Sequence, residues 1–159
     1  MRVGFGFDAH RFVAGRPLVL GGVNIAFRMG LGGHSDADVL VHALIDAMLG
    51  SIAAGDIGAH FPDTDLKYKN ISSLKLLTET AKVVSSAGFE LINIDVTAIL
   101  EEPKLSFYIG EMRGNLAGAI GIDVSLVSVK ATTTEGLGFT GRGEGVAAQA
   151  VVLVKSSKE

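Results

Sequence analysis

Residues 37–54, ADVLVHALIDAMLGSIAA, form a long and almost uninterrupted apolar segment. The spacing predicts a helix over this whole range, with apolar side chains on nearly every side, and such a helix is normally buried. Asp38, His42 and Asp46 nevertheless recur at intervals of four residues, which places them on one stripe of the helix. The segment therefore predicts a core helix that carries three polar groups into the interior.

Strand patterns dominate the chain on either side of this helix. Val3, Phe5 and Phe7 alternate with glycines, and residues 17–25 have the pattern of a hairpin around Gly21-Gly22. Further strands are predicted over 91–100, 124–132 and 145–154, and further helices over 72–87 and 103–120. Strands outnumber helices and are not regularly separated by them. This order favours an α+β fold in which an antiparallel or mixed sheet carries helices on one face.

The composition restricts the possible functions. The 159 residues are 48% hydrophobic, which suits one domain over 1–159 with a sizeable core. The net charge of −3 argues against a nucleic-acid partner. Because there is no cysteine, disulfides, a thiolate nucleophile and cysteine-bound zinc are excluded. The apolar stretches are too short to cross a membrane and the first residues match no targeting signal, so we expect a cytoplasmic protein.

A possible metal centre combines the first strand with the core helix. Asp8 and His10 share one face of the strand, and two histidines with one carboxylate are a common zinc ligand set with an open position. Asp38 and Asp46 flank His42 by one helical turn each, so they are candidates to hydrogen-bond its ring from outside the metal. The alternative is a hydrogen-bonded core histidine with capping acids.

Two further segments suit phosphate. His34 and Ser35 lie before the core helix, where backbone N–H groups, a hydroxyl and an imidazole favour an anion. Residues 130–135, KATTTE, offer three hydroxyls to a polyphosphate and a carboxylate, that of Glu135, to Mg²⁺. The guanidinium of Arg142 suits a phosphate as well. The alternatives are an ordinary capped loop in the first case, and a strand end with a glycine-rich turn in the second.

A turn-rich loop over residues 56–65 contains clustered aspartates that suit sugar hydroxyls. Its spacing does not match an EF-hand. The alternative is a solvated turn, in which His60 is an exposed loop histidine.

Four motifs in order resemble one family over essentially the whole chain: GFGFDAHRF at 4–12, GGHSDADVLVHALIDAMLG at 32–50, GDIGAHFPDTD at 55–65 and VKATTTEGLGFTGRGEG at 129–145. The family is that of the 2-C-methyl-D-erythritol 2,4-cyclodiphosphate synthases of the non-mevalonate isoprenoid pathway. The resemblance implies that 4-diphosphocytidyl-2-C-methyl-D-erythritol 2-phosphate is cyclised. In that reaction the 2-phosphate oxygen attacks the β-phosphorus and CMP leaves.

The resemblance also implies a role for particular residues. Zn²⁺ would be held by Asp8, His10 and His42, and Mg²⁺ or Mn²⁺ by Glu135. The catalytic residues would be His34 and Thr133. Substrate would be bound by Asp8, His10, His34, Ser35, Asp56, Gly58, Phe61, Pro62, Asp63, Asp65, Leu100, Pro103, Lys104, Leu105, Ser106, Ala131, Thr132, Thr133, Thr134 and Glu135. Within that set, the segments 100–106 and 130–133 would bind the cytidine.

The family fold implies a four-stranded mixed sheet with helices on one face and a small hairpin, assembled as a homotrimer around a threefold axis with the active sites at the subunit interfaces. An axial cavity near Phe7, Phe139, Arg142 and Glu144 would accept an isoprenoid diphosphate. Phe5 and His60 depart from the family pattern outside these contacts.

Two other classes of function remain open on the residues alone. A zinc phosphoesterase would use the same ligands to give a linear, hydrolysed product. A non-catalytic protein that stores or senses an isoprenoid diphosphate would explain the trimer cavity but neither Glu135 nor the threonine run.

Overall fold

A five-stranded mixed sheet organises residues 1–158, the part of the chain that the computed structural model describes. Its strands are β1 (Arg2–Val13), β4 (Gly30–Leu31), β5 (Phe89–Ile99), β6 (Val127–Thr132) and β7 (Gly145–Ser156), while β2 (Leu18–Leu20) and β3 (Val23–Ile25) form the predicted hairpin. The order is β4-β1-β7-β5-β6, with β5 and β6 parallel and the other neighbours antiparallel. The mixed sheet is confirmed. It has five strands instead of four because the two-residue β4 pairs with the end of β1.

The helices are α1 (Val39–Ser51), α2 (Ile57–His60), α3 (Ser73–Ser86), α4 (Ile109–Ile120) and α5 (Gly138–Gly141). Helix α1 begins two residues later than predicted because Asp38 is its N-cap and accepts a hydrogen bond from the N–H of Val41. Helix α4 begins at Ile109 and not at 103, because residues 101–108 form a loop anchored by the buried Leu105. None of these helices is long and apolar enough to cross a bilayer.

Helix α1 lies directly on the backbone of β1. A Cβ atom built on Gly4 would lie 1.8 Å from the carbonyl oxygen of Ala47, and one on Gly6 would lie 2.0 Å from that of Ala43. The glycines of β1 therefore face the helix, and the strand's large side chains face the other way. Because the other α1 positions are buried in the apolar core, the helix cannot move outward to admit larger residues on β1.

The face of the sheet opposite the helices is apolar and open. Val3, Phe5, Phe7 and Val151 are 66%, 60%, 50% and 43% exposed, and Phe5 pairs directly with Val151 across β1 and β7. Soluble monomers rarely expose a contiguous patch of this kind. The patch is thus a candidate surface for self-association.

We predict that Gly4→Ala lowers the free energy of unfolding by about 3 kcal/mol or more, because the new Cβ collides with a helix backbone that cannot shift. Gly114→Ala is the matched control: Gly114 lies in α4 and a Cβ there would meet open space, so alanine raises helix stability by about 0.5–1 kcal/mol. Urea unfolding followed by circular dichroism measures both changes. Equal stability of the two variants would contradict the close packing.

Candidate active site

The structure brings Asp8, His10 and His42 together. The Oδ2 atom of Asp8 lies 2.7 Å from Nε2 of His10 and 3.2 Å from Nδ1 of His42, and these two nitrogens are 3.3 Å apart. Ligands bound at about 2.0–2.1 Å in a tetrahedron are about 3.3 Å from one another, so the two imidazole nitrogens have the spacing of a zinc site. The donor set fits a divalent metal ion, and two of the three spacings match the tetrahedral value.

Charge interactions within this cluster shift the pKa values of its members. Burial raises the pKa of Asp8, but hydrogen bonds and charge interactions with His10 and His42 outweigh it and hold the pKa well below its usual range. Burial lowers the pKa of His10, but the Asp8 carboxylate outweighs it and raises the pKa above its ordinary value. Asp8 is therefore an anion that attracts a cation, and a proton on His10 competes with a metal for that place.

A backbone carbonyl fixes the orientation of the His10 ring. The Nδ1 atom of His10 lies 2.6 Å from the carbonyl oxygen of Gly32, to which it can only donate. Nε2 is then the nitrogen that faces Asp8 and His42. Residues 31–33 run beside β1, where the N–H of Gly32 donates to the carbonyl of Arg11.

The outer partners of His42 are not those predicted. The carboxylate of Asp38 is buried and accepts hydrogen bonds from the N–H groups of Gly21, Gly22 and Val41, so it joins the hairpin to α1. That of Asp46 accepts from the N–H of Ile57.

The Nε2 atom of His42 instead lies 2.9 Å from the hydroxyl of Ser73 and 3.2 Å from that of Ser35. Ser73 was missed because its only sequence signal is a serine at a helix start. Backbone donors use both carboxylate oxygens of Asp38. Asp46 accepts through Oδ1 only and lines the same cavity as His42, so its role beside the ring stays a prediction.

Hydrogen bonds from Arg16 hold the loop that carries His34 and Ser35. The guanidinium of Arg16 donates to the carbonyl oxygens of Gly33 and Ser35, at 2.5 Å each. Within residues 1–158, the Nε2 atom of His34 is buried without a hydrogen-bond partner. A buried nitrogen of this kind is available to a bound ligand. Arg16 was not recognised in the sequence, where nothing links it to the distant loop.

The metal-binding cluster opens into a cavity of about 440 Å³. Its walls include most of the predicted contacts for phosphate and methylerythritol: Asp8, His10, His34, Ser35, Gly58, Phe61, Pro62 and Asp63. His42 and Asp46 line it as well. Asp56 and Asp65 are not among the lining residues; they cap α2 and the next helical turn by accepting from the N–H groups of Ala59 and Lys67. His60, predicted to be exposed, is half-buried and hydrogen-bonds to the carbonyl of Ala54.

A second cavity, of about 300 Å³, lies where β5 and β6 end. Its lining residues are Leu100, Glu101, Pro103, Lys104, Leu105, Ser106, Ala131, Thr132 and Thr133. Thr134 and Glu135 lie beyond it, and the hydroxyl of Thr133 donates to Glu135 at 2.8 Å. Glu101, which was missed, accepts from the N–H groups of Thr134 and Gly136 and so ties this turn to the cavity.

The two cavities share no lining residue. Asp8 pairs with Ala148, Ala148 with Ala98, and Ala98 with Ala131, so these residues form one row across the sheet. With strands about 4.8 Å apart, three intervals separate Asp8 from Ala131 by about 14 Å. One chain therefore presents two separate cavities.

The four residues predicted at the axial cavity do not enclose a space in the single chain. Phe7 and Phe139 are 50% and 39% exposed, and Arg142 forms an ion pair with Glu144 at 2.6 Å. Arg142 and Glu144 line two different surface cavities.

The fold and the site define the class of protein: a small α+β protein in which a candidate metal-binding cluster and two cavities of ligand size lie on one sheet. The sequence profile of the YgbB family matches residues 1–155, and the chain belongs to that family.

Two curated relatives carry the same name. The chain is 61% identical over 154 residues to the 2-C-methyl-D-erythritol 2,4-cyclodiphosphate synthase of Pelotomaculum thermopropionicum, covering 97% of this chain and 95% of the relative. It is 58% identical to the protein of that name from Clostridium kluyveri, covering 97% and 94%.

Solved structures agree with these sequence relatives. The Plasmodium falciparum protein, solved as a CDP complex, matches with a TM-score of 0.86 at 29% identity, covering 98% of this chain and 96% of that one. The bifunctional IspDF from Campylobacter jejuni matches with a TM-score of 0.94 at 48% identity; the match covers 98% of this chain but only 42% of that longer chain.

The raised pKa of His10 predicts the pH dependence of zinc binding. Below that pKa a proton must leave His10 before a metal binds, so zinc affinity falls as the pH is lowered, by up to about tenfold per pH unit. Competition with a chromophoric chelator from about pH 8 to pH 5.5 measures the slope. An affinity independent of pH over this range would contradict His10 as a ligand.

Proposed function

We infer that this chain is an enzyme that cyclises 4-diphosphocytidyl-2-C-methyl-D-erythritol 2-phosphate to 2-C-methyl-D-erythritol 2,4-cyclodiphosphate, with release of CMP, in the non-mevalonate route to isoprenoid precursors. It is a phosphorus–oxygen lyase. The observation that carries this inference is near-full-length identity of 61% to a protein of that name, in a chain whose structure gathers Asp8, His10 and His42.

The reaction replaces one phosphorus–oxygen bond by another and needs no oxidant. An oxygen of the 2-phosphate forms a bond to the β-phosphorus, and the bond from that phosphorus to the bridging oxygen breaks. CMP leaves with the bridging oxygen. No side chain has to be modified covalently, so the protein contributes positioning and charge neutralisation.

We assign the metal cluster to Zn²⁺, held by Asp8, His10 and His42. A divalent cation there supplies positive charge that orients a phosphate oxygen and stabilises the charge that develops in the transition state. The fit rests on the 3.3 Å spacing of the two imidazole nitrogens and on the anionic Asp8. His34 and Ser35, in the same cavity, donate hydrogen bonds to phosphate oxygens.

The second half-site supplies the other phosphate contacts. Thr133 contacts the phosphates through its hydroxyl, and Glu135 would hold Mg²⁺ or Mn²⁺, hard cations that prefer oxygen ligands. Thr134 supports this turn: its hydroxyl lies 2.6 Å from the carbonyl of Leu137. The cavity of about 300 Å³ lined by 100–106 and 131–133 receives the cytidine, with recognition mainly by backbone groups.

The methylerythritol occupies the metal-side cavity. Gly58, Phe61, Pro62 and Asp63 line it directly. Asp56 contributes by capping α2, and Asp65 by capping the next turn, so both fix the shape of this wall.

Assembly as a homotrimer joins the half-sites. The separation of about 14 Å across the sheet keeps the two cavities of one chain apart, and a neighbouring chain brings its nucleotide cavity to this chain's metal cluster. The exposed apolar patch of Val3, Phe5, Phe7 and Val151 supports burial against other copies. In this assembly Phe7, Phe139, Arg142 and Glu144 border an axial cavity that accepts an isoprenoid diphosphate. A cytoplasmic location stays a prediction.

Phosphorus NMR of the protein with the cytidyl substrate, Zn²⁺ and Mg²⁺ tests the reaction. We expect a cyclic diphosphate and CMP, and neither when EDTA is present. Asp8→Ala should lose zinc and nearly all activity, because its carboxylate is a metal ligand, while Asp123→Ala should keep both. Asp123 is exposed and caps a remote turn through the N–H of Ser125. A linear diphosphate or free phosphate would instead indicate a phosphoesterase, and unchanged substrate a binding protein.

Mixed trimers test whether the site is shared between chains. Asp8→Ala chains lack the metal half-site and Thr133→Ala chains lack the nucleotide half-site. If each site uses one half from each of two neighbours, random co-assembly in equal amounts restores about one quarter of the wild-type activity. If each site lies within a single chain, the mixture stays as inactive as its components.

A further inference from the structure

A hydrogen-bonded chain of three side chains leads away from the metal cluster. The Nε2 atom of His42 lies 2.9 Å from the hydroxyl of Ser73, which donates to Oδ1 of Asp36 at 2.5 Å. The other carboxylate oxygen of Asp36 accepts from the backbone N–H of Ser73 at 2.9 Å. The carboxylate of Asp36 thus accepts hydrogen bonds from both the hydroxyl and the backbone N–H of Ser73.

This arrangement determines where the proton of the His42 ring lies. A serine hydroxyl has one proton, and that of Ser73 is used toward Asp36, which offers only acceptor oxygens. Toward His42 the hydroxyl can therefore only accept, so Nε2 carries the ring proton. Nδ1 is left with its lone pair, and it is the nitrogen that faces Asp8 and His10.

The chain is rigid because it is part of the fold. Ser73 is fully buried, so water does not compete for its hydroxyl. It is the first residue of α3, whose N-cap residue Ser72 makes no side-chain capping bond. Asp36, in a distant loop, instead accepts a hydrogen bond from the backbone N–H of Ser73 at this helix start. The first turn of α3 therefore fixes the position of the Ser73 hydroxyl.

We propose that Ser73 and Asp36 are positioning residues that hold His42 with the Nδ1 lone pair toward the metal. This rests on the proposed function of Asp8, His10 and His42 as a metal site. Outer partners of metal-bound histidines change metal affinity by about 10–100-fold when removed. Ser35, farther from Nε2 at 3.2 Å, also accepts from the N–H of Ala37 and has no carboxylate partner of its own among residues 1–158.

Zinc affinity of the purified protein, measured by chelator competition without substrate, tests the proposal. Ser73→Ala should bind zinc about 10–100-fold more weakly than the wild type. Ser51→Ala is the matched control, because it removes a buried hydroxyl on α1 that donates to the carbonyl of Met48, and it should bind as the wild type does. Thermal unfolding of the metal-free proteins checks that the two variants are folded.

A spectroscopic measurement separates positioning from a loss of stability. In the Co²⁺-loaded protein, Ser73→Ala should change the visible ligand-field bands, since the His42 ring is free to turn, while Ser51→Ala should not. If a folded Ser73→Ala kept the wild-type affinity and bands, the positioning role would be overturned although the metal site stood. If the wild type itself bound no zinc, the proposed metal site would fail and the positioning role with it.

Discussion

The contact between α1 and the bare backbone of β1 is the constraint on which the rest of the structure depends. Gly4 and Gly6 have no side chains, so the carbonyl groups of Ala47 and Ala43 approach the strand more closely than any Cβ would allow. His42 directly precedes Ala43 on the helix and Asp8 lies two residues after Gly6 on the strand, so the same close approach brings these two side chains together. A larger distance between α1 and β1 would place the side chains of Asp8 and His42 too far apart to bind one ion.

The cluster of Asp8, His10 and His42 is held from several directions by groups that belong to the fold. The carbonyl of Gly32 orients His10, and Ser73 at the start of α3 orients His42. Asp36 caps that helix, so the loop before α1 and the first turn of α3 are joined at the site. Ligands fixed in this way lose little freedom when they bind a cation, which favours binding.

The open apolar face and the divided site have one explanation. Phe5 and Phe7 point away from the core because Gly4 and Gly6, which alternate with them, must face α1. The packing that brings Asp8 and His42 together thus also leaves an apolar face exposed, and the second cavity lies about three strand intervals from the first. The homotrimer proposed above would cover the apolar face and complete the site in the same step.

The sequence by itself determined the buried helix, the strand of Asp8 and His10, the hairpin at Gly21-Gly22 and the family, since these depend on local spacing and ordered motifs. It did not determine the start of α4, the edge strand β4 or the partners of Asp38 and Asp46. Ser73, Arg16 and Glu101 were found only in the tertiary structure. Their roles come from hydrogen bonds to residues distant in the chain, and no local pattern records which donor meets which acceptor.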